Sequence, residues 1–304
     1  HGTSWMNKTK TTLLVTDSGL GGLSVFADIA GRMEKNAPFE QITLVYFNAW
    51  PFEDKGYNHL PDMAAKAMVF NNAMAAMANF SPDAILIACN TLSVIYPFTP
   101  FSRTGQIQVT GIVDHGVDLI YDHLVQTPDS RVVIFGTPTT IGEKTHERAL
   151  VNLGIAPGRI ITQGCIDLAG KIERDPFNPD VFRMIDANAK QAALKLGPSG
   201  GKIFAALCCT HFGYCSTGFA AALENHTRNK IFILNPNIRM AQAVFDKNPG
   251  SRFACPEITM KIVSRVCWED ARITSYEKLL KTLSPRTVDA LKHYTWDKNL
   301  FQVT

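Results

Sequence analysis

Residues 12–33 read TLLVTDSGLGGLSVFADIAGRM, a β-rich run, a glycine loop and a helical pattern in direct succession. Thr12 to Thr16 predicts a strand, Asp17-Ser18-Gly19-Leu20-Gly21-Gly22 the loop, and the apolar spacing from Leu23 to Met33 a helix. Working outward, Ile42 to Phe47 reads as the next strand and Met63 to Ala78 as a helix rich in Ala and Met. Ala84 to Ala88 reads as a buried strand running into Cys89-Asn90-Thr91. Strands alternating with helices predict an α/β parallel sheet.

The plan then repeats. Strands are expected at Val109–Val113, Arg131–Phe135, Arg159–Thr162 and Ile203–Leu207, and helices at Gly116–Leu124, Glu143–Val151 and Pro179–Lys195. Asp17 to Cys89 and Thr137 to Cys209 both span 72 positions, and both strands before the cysteines run into a Cys-x-Thr or Cys-Thr ending, so the halves read as a duplicated unit. The expected fold class is α/β, with two pseudo-symmetric domains, each a mainly parallel sheet flanked by helices, and the active site in the cleft between them. Helix 218–225, strand 231–234 and helix 240–245 are expected to return to the first sheet. The first domain is thus 6–105 plus 216–304, with a C-terminal extension at 255–304, and the second is 106–215. Residues 1–5, ahead of Met6, read as a tag remnant. Within the extension, Ser284-Pro285 is an N-cap signal for a helix running to His293. No chemistry is assigned to this segment; it reads as an element packed on the body or an oligomer contact.

Composition narrows the function class. The 304 residues are 46% hydrophobic and 19% charged, with 30 basic against 27 acidic side chains and no long basic run. Nucleic acid is therefore not an expected partner. No apolar stretch is long enough to cross a bilayer and no signal-peptide pattern opens the chain, so no membrane partner and a cytoplasmic location are expected. Seven cysteines in a chain of this size read as reduced thiols, most of them small buried hydrophobes.

In parallel α/β sheets, ligands collect beyond the carboxyl ends of strands. Asp17-Ser18, Cys89-Asn90-Thr91, Thr137 to Thr140 and Cys209-Thr210-His211 are all expected there. This inventory of two thiols, hydroxyls, an amide, a carboxylate and an imidazole suits the carboxylate and amine of a small zwitterion. Each residue also has a structural reading. Cys89 and Cys209 could be inert core thiols, Asp17 and Ser18 a helix cap, His211 a donor to a backbone carbonyl, and Asn90, Thr91 and Thr210 strand terminators. The group Cys208, Cys209, His211 and Cys215 lacks the paired spacing of zinc sites, so no metal is expected, and Cys208 reads as a bystander on the other face of its strand.

Three stretches, DSGLGGLSV (17–25), IACNTLSV (87–94) and LCCTHFGY (207–214), resemble in order and separation the signature motifs of glutamate racemases within the aspartate/glutamate racemase superfamily. The resemblance covers about Leu13 to Phe245. It implies a cofactor-independent amino-acid racemase, with no cofactor, a small-molecule amino-acid substrate, and a homodimer left open. It further implies that Cys89 and Cys209 are the acid/base pair, that Asp17 and His211 assist them, and that Ser18, Asn90, Thr91 and Thr210 hold the substrate. Thr137 and Thr140 join the substrate-binding set by their place in the second unit. The chain departs from the family in three places: NAWPFEDKGYN (48–58) lacks the Pro-Tyr-Gly turn, Phe212-Gly213 replaces Tyr-Pro, and Asn235-Pro236-Asn237 replaces Asp-Ser. A family glutamate near the start of the second unit is matched to Asp114. The substrate's identity is thereby open. A single-cysteine lyase or decarboxylase of the superfamily and a non-catalytic amino-acid-binding homologue are the competing readings.

Overall fold

A computed structural model of the chain describes residues 4–198, 200–246 and 250–304. Among them the strands are, in chain order, β1 (Lys10–Asp17), β2 (Gln41–Asn48), β3 (Ala84–Ile87), β4 (Gln108–Gly111), β5 (Ser130–Gly136), β6 (Ile160–Gly164), β7 (Lys202–Cys208), β8 (Ile231–Leu234), β9 (Glu257–Ser264) and β10 (Thr295–Trp296). The chain divides into two compact units, one running to Gly111 and resuming at Met240, the other Ile112–Arg239.

The first unit carries a parallel sheet in the order β10-β9-β2-β1-β3-β4, and the second a parallel sheet in the order β6-β5-β7-β8. The block β2-β1-β3-β4 and the whole second sheet follow one topology. This is the duplication that the matched spacing predicts. Strands covered on both faces read as unbroken apolar runs: Leu13, Leu14 and Val15 in β1 and Val132 to Phe135 in β5 are fully buried. Helix Leu23–Asn36 lays Leu23, Phe26, Ala30 and Met33 inward at helical spacing and ends where Ala37 turns left-handed, at φ 40°. Asp62 caps helix Met63–Ala78 by accepting from the Ala65 N–H at 2.8 Å.

Three expectations need correction. Residues 216–239 do not return to the first sheet: β8 pairs in parallel with β7, from Ile203–Ile231 to Ala206–Leu234, so this segment completes the second unit. The unit boundaries accordingly fall at 111/112 and 239/240 in place of 105/106 and 215/216. The second unit's first helix begins at Ile112, directly after β4, the helix expected at 143–151 forms as Thr145–Asn152 behind left-handed Lys144, and the loop expected at 136–140 contains a short helix, Pro138–Gly142. At the N-terminus, residues 1–3 lie outside the described residues, while Trp5 is buried and stacks on Phe39 at 6.1 Å.

The extension is an integral part of the first unit. β9 pairs with β2 along eight residues, Gln41–Glu257 to Asn48–Ser264. Its alternation of Ile258, Met260 and Ile262 is a period-two strand signal, and helix Asp270–Leu280 follows it. The helix predicted from Ser284-Pro285 forms as Pro285–Lys292, its Ser284 hydroxyl accepting from the Thr287 N–H at 3.1 Å. Among the described residues no helix is long and apolar enough to cross a membrane.

Candidate active site

In the first unit the chemistry gathers at the carboxyl ends of β1 and β3. Asp17, the last residue of β1, is fully buried, and its Oδ2 accepts from the Gly22 N–H at 2.7 Å. The loop returns so tightly that a Cβ on Gly22 would lie 2.5 Å from the Asp17 Cβ, which is why a glycine stands there. Cys89 follows β3 and caps helix Asn90–Ile95, its Sγ accepting from the Leu92 N–H at 3.3 Å. The Ser18 hydroxyl lies 3.1 Å from the same sulfur. Burial, and then the Asp17 carboxylate, push the Cys89 thiol well above its ordinary range against the pull of the bonds from Ser18 and Leu92. The sulfur therefore holds its proton at neutral pH.

Beside it stand two unmet polar groups. Asn90 is 1% exposed, and neither atom of its amide has a hydrogen-bond partner. The Tyr57 hydroxyl, buried in the same apolar cluster as Cys89, is likewise unpartnered. Its ionisation is pushed far up by burial and then by the charge of Cys89. Buried polar groups in proteins are as a rule hydrogen-bonded, and these are among the exceptions here.

In the second unit Cys209 follows β7. Ile203, Ala205, Leu207 and Cys209 share one face and one apolar cluster, which leaves Cys208 on the other face, as the strand period requires. The Cys209 Sγ lies 3.9 Å from His211 Nδ1, and His211 Nε2 lies 2.7 Å from Glu173 Oε1. Both members of the His211–Glu173 pair are buried. Burial alone would lower the imidazole, but its hydrogen bonds to Cys209 and Glu173 and the charge of Glu173 raise it well above 6.5. The environment thus favours the protonated ring, with a sulfur near one nitrogen and a carboxylate at the other.

The other predicted residues are buried close to these loops and make local contacts as well. Thr137 caps helix Pro138–Gly142: its hydroxyl accepts from the Thr140 N–H at 3.3 Å and donates to Thr140 Oγ1 at 3.1 Å. Thr210 is buried, and its carbonyl accepts from Asn237 Nδ2 at 3.0 Å. The altered stretch Asn235-Pro236-Asn237 thus docks on the Cys209 loop. A Cβ on Gly213 would come within 3.1 Å of the amides of Asn235 and Asn237, so these replacements and the loss of a side chain at 213 belong together. Thr91 is buried in the first turn of the helix that Cys89 caps.

Sequence reasoning missed Glu173 and Tyr57. Asp114, matched to a family glutamate, is exposed on helix Ile112–Gln126, and Glu173 is the carboxylate that meets His211. Glu173 rides on the short helix Leu168–Arg174, whose only signal was the Leu168–Ile172 spacing, one turn of apolar period.

No family model matches the chain. It is 28% identical over 171 residues to the glutamate racemase of Syntrophus aciditrophicus, a match that covers 56% of this chain and 58% of that one. To the glutamate racemase of Nitratiruptor sp. it is 24% identical over 214 residues, 69% of this chain and 76% of the relative. The chain thus spans little more than half the length of the first of these relatives. The crystal structure of glutamate racemase from Campylobacter jejuni superposes with a TM-score of 0.65 at 17% identity, over 89% of this chain and 98% of that one. The chain is similar in sequence to the glutamate racemases. Its two parallel sheets flanked by helices are the fold of that crystal structure, and the stretches at 17–25, 87–94 and 207–214 carry the groups just described.

Proposed function

We propose that the chain is a cofactor-independent amino-acid racemase in which Cys89 and Cys209 exchange the α-proton. The observation that carries the reading is a repeated placement. Each unit sets one buried cysteine just beyond the strand paired with its central strand, and each surrounds that sulfur with its own polar groups: the Ser18 hydroxyl and the charge of Asp17 for Cys89, and His211 backed by Glu173 for Cys209. The kinship with glutamate racemases supports the reaction class.

In this scheme one sulfur, as thiolate, takes the α-proton, and the electron pair left on carbon delocalises into the substrate carboxylate. The other sulfur, as thiol, returns a proton to the opposite side, and the two exchange roles for the reverse reaction. Positioned acid/base groups of this kind contribute about 10² to 10⁴ in rate. Asn90, with its open amide, and Ser18, Thr91 and Thr210 hold the carboxylate and ammonium, while Thr137 and Thr140 shape the loop after β5. Glutamate is the first substrate to test.

The test is α-deuterium incorporation in D₂O together with loss of optical activity, across the proteinogenic amino acids. Wild-type protein is expected to do both with one of them, and Cys89→Ala and Cys209→Ala each to abolish racemisation. Full racemisation by either variant would refute the two-thiol mechanism.

A further inference from the structure

The loop from Asn48 to Tyr57 is held from outside by the C-terminal segment. Asn48 Nδ2 donates to Ser264 Oγ at 2.9 Å, Arg265 Nη1 donates to the Pro51 carbonyl at 2.5 Å, and the Cys267 N–H donates to Glu53 Oε1 at 3.2 Å. Arg265 is itself pinned. Its Nε donates to the Phe301 carbonyl at 3.1 Å, and its own carbonyl accepts from Trp296 Nε1 at 3.2 Å. At the far end the Trp50 ring packs so close to Gly56 that a Cβ there would lie 3.0 Å from it.

What the loop delivers is Tyr57. The phenol is 1% exposed, stands edge-on to Phe70 at 6.2 Å, and shares the buried cluster of Cys89. A buried hydroxyl without a partner is costly, so left to itself the loop would turn this group towards water. Several bonds from the C-terminal segment oppose that movement, and the guanidinium that joins Pro51 to Phe301 is the central one.

We propose that Arg265 is a positioning residue for the Cys89 half-site, clamping loop 48–57 so that the Tyr57 ring walls in the Cys89 sulfur. The importance of that sulfur rests on the racemase reading, but the clamp can be tested without any substrate. The probe is iodoacetamide at pH 8, with alkylation of the Cys89 and Cys209 peptides followed by mass spectrometry in the same sample.

Arg265→Met keeps the aliphatic stem and removes both donors. It is expected to speed alkylation of Cys89 about tenfold, as exposure of a buried thiol does, with Cys209 unchanged as internal reference. Arg265→Lys, which can still reach Pro51, should return the rate towards wild type. Trp296→Phe, a change at a half-exposed residue that loosens the same clamp, should act in the same direction by less, and keeps the test open if Arg265→Met does not fold. Tyr57→Ala should match Arg265→Met, and the double variant should be no faster than either. An unchanged Cys89 rate, an equal rise at Cys209, or accelerations that multiply in the double variant would each overturn the proposal. Failure of the racemase reading shows elsewhere, as wild-type protein that exchanges no α-proton, and leaves the alkylation result standing.

Discussion

The Cys89 and Cys209 half-sites share a topology and differ in the charged groups set around the sulfur. Both cysteines follow the strand paired with their unit's central strand, β3 beside β1 and β7 beside β5. Around Cys89 the charged neighbour is a carboxylate, and the sulfur itself holds the proton. Around Cys209 the neighbour is an imidazole backed by a buried carboxylate, which helps hold the ring's pKa up. A duplicated fold therefore supplies two like sulfurs, while the surrounding side chains differ: a carboxylate and a hydroxyl at one, an imidazole backed by a carboxylate at the other. The local backbone differs too. Cys89 caps an α-helix with its sulfur, whereas Cys209 opens a 3₁₀ turn and makes no capping bond.

The largest effect is expected from breaking the carboxylate–imidazole side. Glu173→Gln keeps the size and a hydrogen-bonding oxygen but removes the charge that helps hold His211 as a cation. Racemisation kcat/KM should fall by about 10² to 10³, within the range assigned to one positioned acid/base group. The loss must be equal for both enantiomers, because the equilibrium constant between them is one. Activity within a factor of a few of wild type, measured by polarimetry on folded protein, would show that the His211–Glu173 pair is structural.

A second contrast, between two buried histidines of the same unit, predicts the pH dependence of stability. His146 is 2% exposed, its Nε2 has no partner, and burial lowers its pKa to about 4. The folded state thus favours the neutral ring, and the stabilisation is present above about 6.5 and lost as pH falls towards 4. At about 1.4 kcal/mol for each tenfold change in proton affinity this amounts to about 3 kcal/mol. His211 has the opposite sign. Its pKa is raised, so its contribution is complete below 6.5 and is lost as pH rises through the folded-state value. Denaturant unfolding at pH 7 and pH 4.5 should show a smaller acid loss in His146→Leu than in wild type, and an equal loss in both would remove His146 from the account.

The sequence showed these half-sites unevenly, for physical reasons. The strand–loop–helix runs at 12–33 and 84–95 were legible because buried parallel strands are unbroken apolar runs and because the turn at Gly22 has no room for a Cβ. Glu173 was not, since helix Leu168–Arg174 is too short to show a period and its contact with His211 joins residues 38 positions apart. The fate of 216–239 was misread because adjacency in a sheet depends on which edge is free, and β7 offered β8 its open edge. β9 carried a usable alternation, but its partner β2 lies more than two hundred positions earlier in the chain, and no local pattern encodes that pairing.

The smallest expected effect sharpens the comparison on the Cys89 side, where two neighbours pull the sulfur in opposite directions. Asp17 raises the thiol and the Ser18 hydroxyl lowers it. Asp17→Asn should therefore speed iodoacetamide alkylation of Cys89 at pH 8 by about tenfold, since one unit less in pKa gives ten times the thiolate. Ser18→Ala, which deletes a single neutral hydrogen bond worth about 1 kcal/mol, should slow it only a few-fold. If instead both variants slow alkylation, the Asp17 carboxylate is not opposing ionisation of Cys89. The proton would then be held on the Cys89 side by burial alone, and the asymmetry with Cys209 would rest entirely on the His211–Glu173 pair.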